Sequence, residues 1–218
     1  RCSRDWSSDV CSSDLVIATR IGDAPGVAGP VGFRSWLAAQ GVVAVEDADT
    51  RRLVRHLRDH GAMRGGVSTE VGAEELLAMV REHPVLDGRD LSVAAAGTRR
   101  SRGDDGPTIV AVDCGMKEGI LQGLAGSGMR VEVVPAGTTA DEILALGPDG
   151  VFISNGPGDP AACVPVIDAL SGVLGQVPVF GICLGHQLLS HALGLRTEKL
   201  PFGHRGANHP VRRSEDGV

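Results

Sequence analysis

Four runs in the second half of the chain are almost continuously apolar: Thr108 to Asp113, Arg130 to Val134, Gly150 to Ser154 and Val177 to Ile182. They lack the alternating polar positions of a half-exposed strand, so they predict strands covered on both faces, as in a parallel sheet. Stretches with a helical apolar period lie between them. The repeating unit is therefore strand, helix, strand, and the predicted fold is α/β: a doubly wound, mostly parallel sheet over 108–218. Thr139 and Glu142 have the spacing of a capping box ahead of "ILAL", and Pro148-Asp149-Gly150 turns the chain into the third strand. Ligands of such a sheet sit at the carboxyl ends of its strands.

The first half has another texture. Between Val16 and Val93 a short strand, Val42 to Val45, precedes a helix capped by Asp49 or Thr50, with Leu53, Val54 and Leu57 as its apolar face and Gly61 as its stop. "TEVGAEELLAMVREHP" predicts a second helix. The stretch 94–107, "AAAGTRRSRGDDGP", is small, charged and without apolar period, and reads as a linker between a smaller α/β domain, 16–93, and the sheet domain. The first 15 residues, "RCSRDWSSDVCSSDL", nearly repeat themselves and show neither period; they read as a non-native leader rather than part of the fold.

Composition narrows the possible partners. The chain has 218 residues, 42% of them hydrophobic, which is ample for a buried core. A formal charge of −6 argues against a nucleic-acid or anionic-membrane surface. Arg51, Arg52, Arg55 and Arg58 line one face of the first helix, and within that acidic total they fit a solvated or subunit-facing surface. No run approaches the roughly 18 apolar residues of a membrane helix. The five cysteines form no close CxxC pair, so a reduced, cytoplasmic protein without a disulfide framework or a metal site is expected.

Two loops fall at the carboxyl ends of predicted strands. In "SNGPGDP", Ser154 to Pro160, two glycines and two prolines make a rigid loop whose amides can approach a ligand closely; an oxyanion pocket or an ordinary strand-to-helix turn would both use it. It is not a phosphate-binding P-loop, because no Gly-Lys-Ser/Thr follows. In "VPVFGICLGHQLLSH" the sequence Gly-x-Cys-x-Gly joins a strand to a helix, the form of a nucleophile elbow. A helix N-terminus lowers the pKa of a thiol beside it and favours the attacking thiolate, and the Leu184 amide is placed to face a tetrahedral oxyanion. Cys183 is thus the candidate nucleophile. Cys114 and Cys163 lack that setting and read as structural. Gln187, one helical turn on, lies on the same face and could bond a substrate.

"VFGICLGHQLL" preceded by "SNGPGDP" resembles the nucleophile region of class I glutamine amidotransferases, from about Thr108 onward. "DADTRRLVRHLRDHGAMRGGV" and "FGHRGANHP" make the chain similar, from Val16 onward, to the small, glutamine-hydrolysing subunits of carbamoyl-phosphate synthases. The resemblance implies that Cys183 attacks the side-chain amide of L-glutamine, forms a thioester and releases ammonia. A large synthetase subunit, in a heterodimer or higher oligomer, would combine the ammonia with bicarbonate and ATP, feeding arginine and pyrimidine synthesis. It also implies that Gly156, Gly158, Leu184 and Gln187 contact glutamine. No cofactor is expected in this subunit; ATP and Mg belong to the partner.

The chain departs from that pattern. The family completes its triad with a His and a Glu two residues apart well after the elbow, and none of these 218 residues supplies that pair there, so an internal fragment, inactive alone, is expected. His186 and His191 ride the nucleophile's own helix, whereas an elbow's base comes from a later loop. His204 and His209 come later but have no carboxylate two residues on; with Arg205 and Asn208 they read as a subunit-contact loop. Two other classes share some of these features: a stand-alone cysteine hydrolase of the α/β-hydrolase type, and a catalytically silent module that docks on a synthetase.

Overall fold

The computed structural model of the chain describes residues 15–22, 32–103 and 105–201. These fold as two compact units, one from 15–83 with 198–201 and one from 84–197. Cys2, Cys11, His204, Arg205, Asn208 and His209 lie outside the described residues.

In the first unit, β1 (Leu15–Ile17), α1 (Phe33–Ala39) and β2 (Val43–Val45) form a small βαβ turn, with β1 and β2 parallel and Leu15 opposite Val43. Leu37 of α1 is buried. The helices α2 (Thr50–His60) and α3 (Ala73–Glu82) follow. Asp49 caps α2, its carboxylate accepting the Arg52 N–H at 2.9 Å, and Gly61 ends the helix in the left-handed region at φ 88°. Neither α2 nor α3 buries a residue. The apolar period of α2 marks a helix, but Leu53 and Val54 remain exposed among the described residues, so the period does not establish a packed face.

The second unit opens with α4 (Ser92–Ala95) and β3 (Arg100–Arg102), then alternates β4 (Thr108–Asp113), α5 (Glu118–Gly126), β5 (Arg130–Pro135), α6 (Ala140–Leu144), β6 (Gly150–Ile153), a 3₁₀ turn (Pro160–Ala162), α7 (Val164–Val173), β7 (Val179–Gly181) and α8 (Leu184–Ala192). The sheet order is β3-β5-β4-β6-β7, with β3 antiparallel to β5 and all other pairs parallel. Successive residues of the central strands serve opposite faces. Val110, Val112, Val151 and Ile153 pack with Val166, Leu170, Leu184 and Leu188 of α7 and α8; Ala111 and Phe152 pack with Leu121 of α5. Full burial of each such side chain contributes roughly 1.5–3 kcal/mol. The capping box is present, with the Glu142 N–H on Thr139 Oγ1 and the Thr139 N–H on the Glu142 carboxylate.

Two expectations change. The stretch read as a linker contributes the edge strand β3, whose polar side chains are held by charge: Arg100 pairs with Asp113 at 3.1 Å, Ser101 bonds Glu132, and Arg102 pairs with Glu118. An edge strand in contact with water carries no apolar run to announce it. The run at Val177 to Ile182 is a strand only at Val179–Gly181 and is not covered on both faces: β7 pairs with β6 alone among the described residues, and Phe180 is 64% exposed. No helix of the described residues is long and apolar enough to cross a membrane.

Candidate active site

β6 and β7 end side by side, Ile153 opposite Gly181, and both candidate loops emerge from that edge of the sheet. The turn into α8 is made at Cys183, whose backbone sits at φ 55° and ψ −112°, a region L-residues rarely occupy. The flanking glycines have a steric reason. A Cβ on Gly181 would lie 2.4 Å from the Gly185 carbonyl carbon, and one on Gly185 would lie 2.3 Å from the Ile153 oxygen. The Gly185 N–H bonds the Ser154 oxygen at 3.1 Å, and the Ile182 N–H bonds the Ile153 oxygen at 3.1 Å, so the elbow is stitched to the end of β6. Leu184 and Leu188 are buried beneath α8 and anchor it, while Cys183 itself is exposed.

The loop after β6 is braced from two sides. A Cβ on Gly156 would stand 2.0 Å from the Cys114 oxygen, so only glycine lets the loop lie against the turn after β4. Ser154 Oγ accepts the Cys114 N–H at 2.9 Å and donates to the Asn155 oxygen at 2.7 Å. Asn155 Nδ2 donates to the Gly115 oxygen at 3.1 Å. Asp113, buried under that turn, accepts the Gly115 and Met116 amides on Oδ1 and the Gly97 amide and Arg100 on Oδ2. On the other side Gly158, at φ 116°, bridges Asp90, and Asp159 accepts the Gly88 N–H at 2.8 Å while its own N–H bonds the Arg89 oxygen. Burial raises the Asp90 carboxyl, but hydrogen bonds from Ser92 and Cys163 outweigh it and hold the group below its ordinary range.

The amides of Gly156 and Leu184 donate to no group among the described residues. They are unused donors on the two loops that meet at this edge. Gln187, exposed on α8, has its backbone N–H on the Cys183 oxygen at 3.2 Å. His186 is exposed and His191 Nε2 meets Thr197 Oγ1 at 2.8 Å; no imidazole or carboxylate bonds the Cys183 thiol among the described residues. The other two described thiols differ in kind. Burial pushes the Cys114 thiol far up, and burial with the neighbouring Asp90 pushes Cys163 up to about 11. Both are inert at neutral pH.

The elbow, the Gly-rich loop and the structural status of Cys114 and Cys163 were legible in the sequence. The bracing set was not. Asp113, Ser154, Asn155 and the 88–91 segment act through contacts between residues far apart in the chain; the one local signal was Asp-Cys-Gly directly after a strand.

The family described as glutamine amidotransferase class-I matches residues 110–218, and the carbamoyl-phosphate synthase small chain, CPSase domain, matches residues 5–67. A carbamoyl phosphate synthase small chain of Akkermansia muciniphila is 47% identical over 194 residues, covering 84% of this chain and 52% of its own length. Proteins of the same name from Pseudomonas putida and Streptomyces coelicolor are 42% and 45% identical, covering 99% and 83% of this chain and 61% and 50% of their own lengths. The chain thus spans about half the length of these relatives.

Proposed function

The chain belongs to the class-I glutamine amidotransferases, with a leading segment that matches carbamoyl-phosphate synthase small chains, and from that premise we propose that it is the glutamine-hydrolysing part of such a small chain. The observation that carries the reading is the backbone of Cys183: an exposed thiol at a positive φ, raised between glycines that admit no Cβ, on an elbow tied through the Gly185 N–H to Ser154 at the start of the glycine-rich loop. In the proposed reaction the Cys183 sulfur attacks the side-chain amide carbon of glutamine. The Gly156 and Leu184 amides take the developing negative charge on oxygen, a contribution typically worth about 2.7–4 kcal/mol per donor. The amide nitrogen leaves as ammonia, forming a thioester, and water cleaves it to glutamate and the free thiol, so glutamine and water become glutamate and ammonia. Gln187 and Gly158 border the same edge and are assigned to holding the glutamine.

The ammonia passes, in this proposal, to a large synthetase subunit that uses ATP, Mg and bicarbonate in the cytoplasm, serving arginine and pyrimidine synthesis. This subunit needs no cofactor of its own for the thiol chemistry. A glutamine-shaped chloromethyl ketone should alkylate Cys183 before Cys114 or Cys163, and Cys183→Ser in the full-length gene product should abolish ammonia release. Preferential labelling of another cysteine, or retained turnover in the serine variant, would overturn the assignment. Glutamine binding without hydrolysis in the unaltered full-length protein would favour the silent docking module instead.

A further inference from the structure

Ser154 follows the apolar residues Val151, Phe152 and Ile153 of β6 and is fully buried. A hydroxyl in that position costs free energy unless its hydrogen bonds are made. They are made: Oγ accepts the Cys114 N–H at 2.9 Å and donates to the Asn155 oxygen at 2.7 Å. The backbone explains why a side chain is needed there. β4 and β6 run parallel with Val112 opposite Ile153, and the Ser154 N–H bonds the Val112 oxygen at 3.1 Å. In a parallel ladder carried one step further, the next bond would run from the Cys114 N–H to the Ser154 carbonyl. That carbonyl is used elsewhere: it accepts the Gly185 N–H at 3.1 Å, a donor shared with the Ile182 oxygen at 3.0 Å. The hydroxyl thus takes the carbonyl's place beside β4 and frees the carbonyl to hold the first turn of α8.

We propose, on the hydrolysis reading above, that Ser154 is a positioning residue for the reaction at Cys183: by satisfying the Cys114 N–H, its hydroxyl keeps its own carbonyl on Gly185 and so fixes Cys183 and the Leu184 amide over the end of β6. The fit there is close, since a Cβ on Gly185 would stand 2.3 Å from the Ile153 oxygen. Without the hydroxyl, the Cys114 amide is buried with no partner and competes for the Ser154 carbonyl. The elbow then loses its tie to Ser154, while the buried Leu184 and Leu188 still anchor α8. The fold survives and the geometry of the elbow slackens. Ser154 touches no reacting atom in this account; it acts through Gly185.

The test compares the full-length gene product with its Ser154→Ala and Ser154→Cys variants by two measurements. Deuterium uptake by the amides of 184–188, relative to those of β5, should be about tenfold faster in Ser154→Ala, the effect of one lost hydrogen bond. Glutamine turnover, counted per Cys183 thiol titrated with iodoacetamide, should fall about tenfold or more in kcat with KM changed less than about twofold, because a slackened elbow misplaces the thiol without removing a substrate contact. Ser154→Cys keeps a weaker donor and acceptor at the same place and should lie between the other two in both measurements. A hydroxyl that served packing alone would lower thermal stability and leave both ratios unchanged; unchanged relative uptake, or unchanged kcat per thiol, overturns the proposal. Should Ser154→Ala fail to fold, Ser154→Cys decides in the same way. Absence of ammonia release by the unaltered protein would overturn the hydrolysis reading and this role together, whereas release that persists undiminished per thiol in the variants overturns the role of Ser154 alone.

Discussion

Cys183 is held in a backbone conformation that strains any residue bearing a Cβ, by about 1–3 kcal/mol. The strain and the exposure of the thiol have one origin, the turn that lifts the side chain off the sheet edge. Removing the thiol alone leaves the strain in place, and removing the Cβ relieves it. Cys183→Gly should therefore unfold in urea at a higher midpoint than Cys183→Ala, by about 1 kcal/mol at equal m-value. Equal midpoints for the two would contradict the elbow geometry. The buried thiols predict a pH dependence. Cys163 is pushed from 9.0 to about 11 by burial first and Asp90 second. Between those values the unfolded chain has lost the proton and the folded chain keeps it, so the folded state binds more protons there and stability falls as pH rises. That stability is fully present below pH 9 and is lost as pH climbs through about 11. Cys114 acts in the same direction. Urea midpoints at pH 7.5, 9 and 10.5 should decline, and decline less steeply in Cys163→Ala.

At the scale of elements, glycine has opposite meanings in α5 and at the start of α8. Gly123 lies within α5 with open space where a Cβ would stand, so its only effect is the entropy it adds to the unfolded chain. Gly123→Ala should raise stability by about 0.5–1 kcal/mol. Gly185 is also helical, but its Cβ would press on the Ile153 backbone, which cannot yield without shifting the end of β6. Gly185→Ala should lower stability by about 2 kcal/mol or more and displace Cys183 with it. Thermal unfolding of the two variants checks both signs. The strand β3 shows why an element can be invisible beforehand: Arg100, Ser101 and Arg102 satisfy one row of backbone bonds against β5 and send their side chains to carboxylates on β4, β5 and α5. Neither feature leaves a trace in hydropathy.

For the molecule as a whole, the proposed hydrolysis would depend on a proton acceptor, and none of the described residues bonds the Cys183 thiol. A general base is typically worth about 10²–10⁴ in rate. Ammonia release by these 218 residues should thus be at least about 100-fold slower than by a full-length relative assayed beside it. Comparable rates would place a base within the chain, and His204 and His209 would be the first to replace. The alternation of apolar runs with helical periods was enough to read the doubly wound sheet, because strands buried between two helical layers admit few polar residues. Gly-x-Cys-x-Gly was enough to read the elbow, because only glycine fits where Gly185 meets Ile153 and Gly181 meets Gly185. Those are local constraints, written where they act. The tertiary structure alone decided that β3 closes one edge of the sheet, that Phe180 is left exposed on β7, and that the Asp113 and Asp90 turns brace the glycine-rich loop. Each of these depends on which distant segment arrives beside a residue, and neither propensity nor period in the chain encodes that arrival.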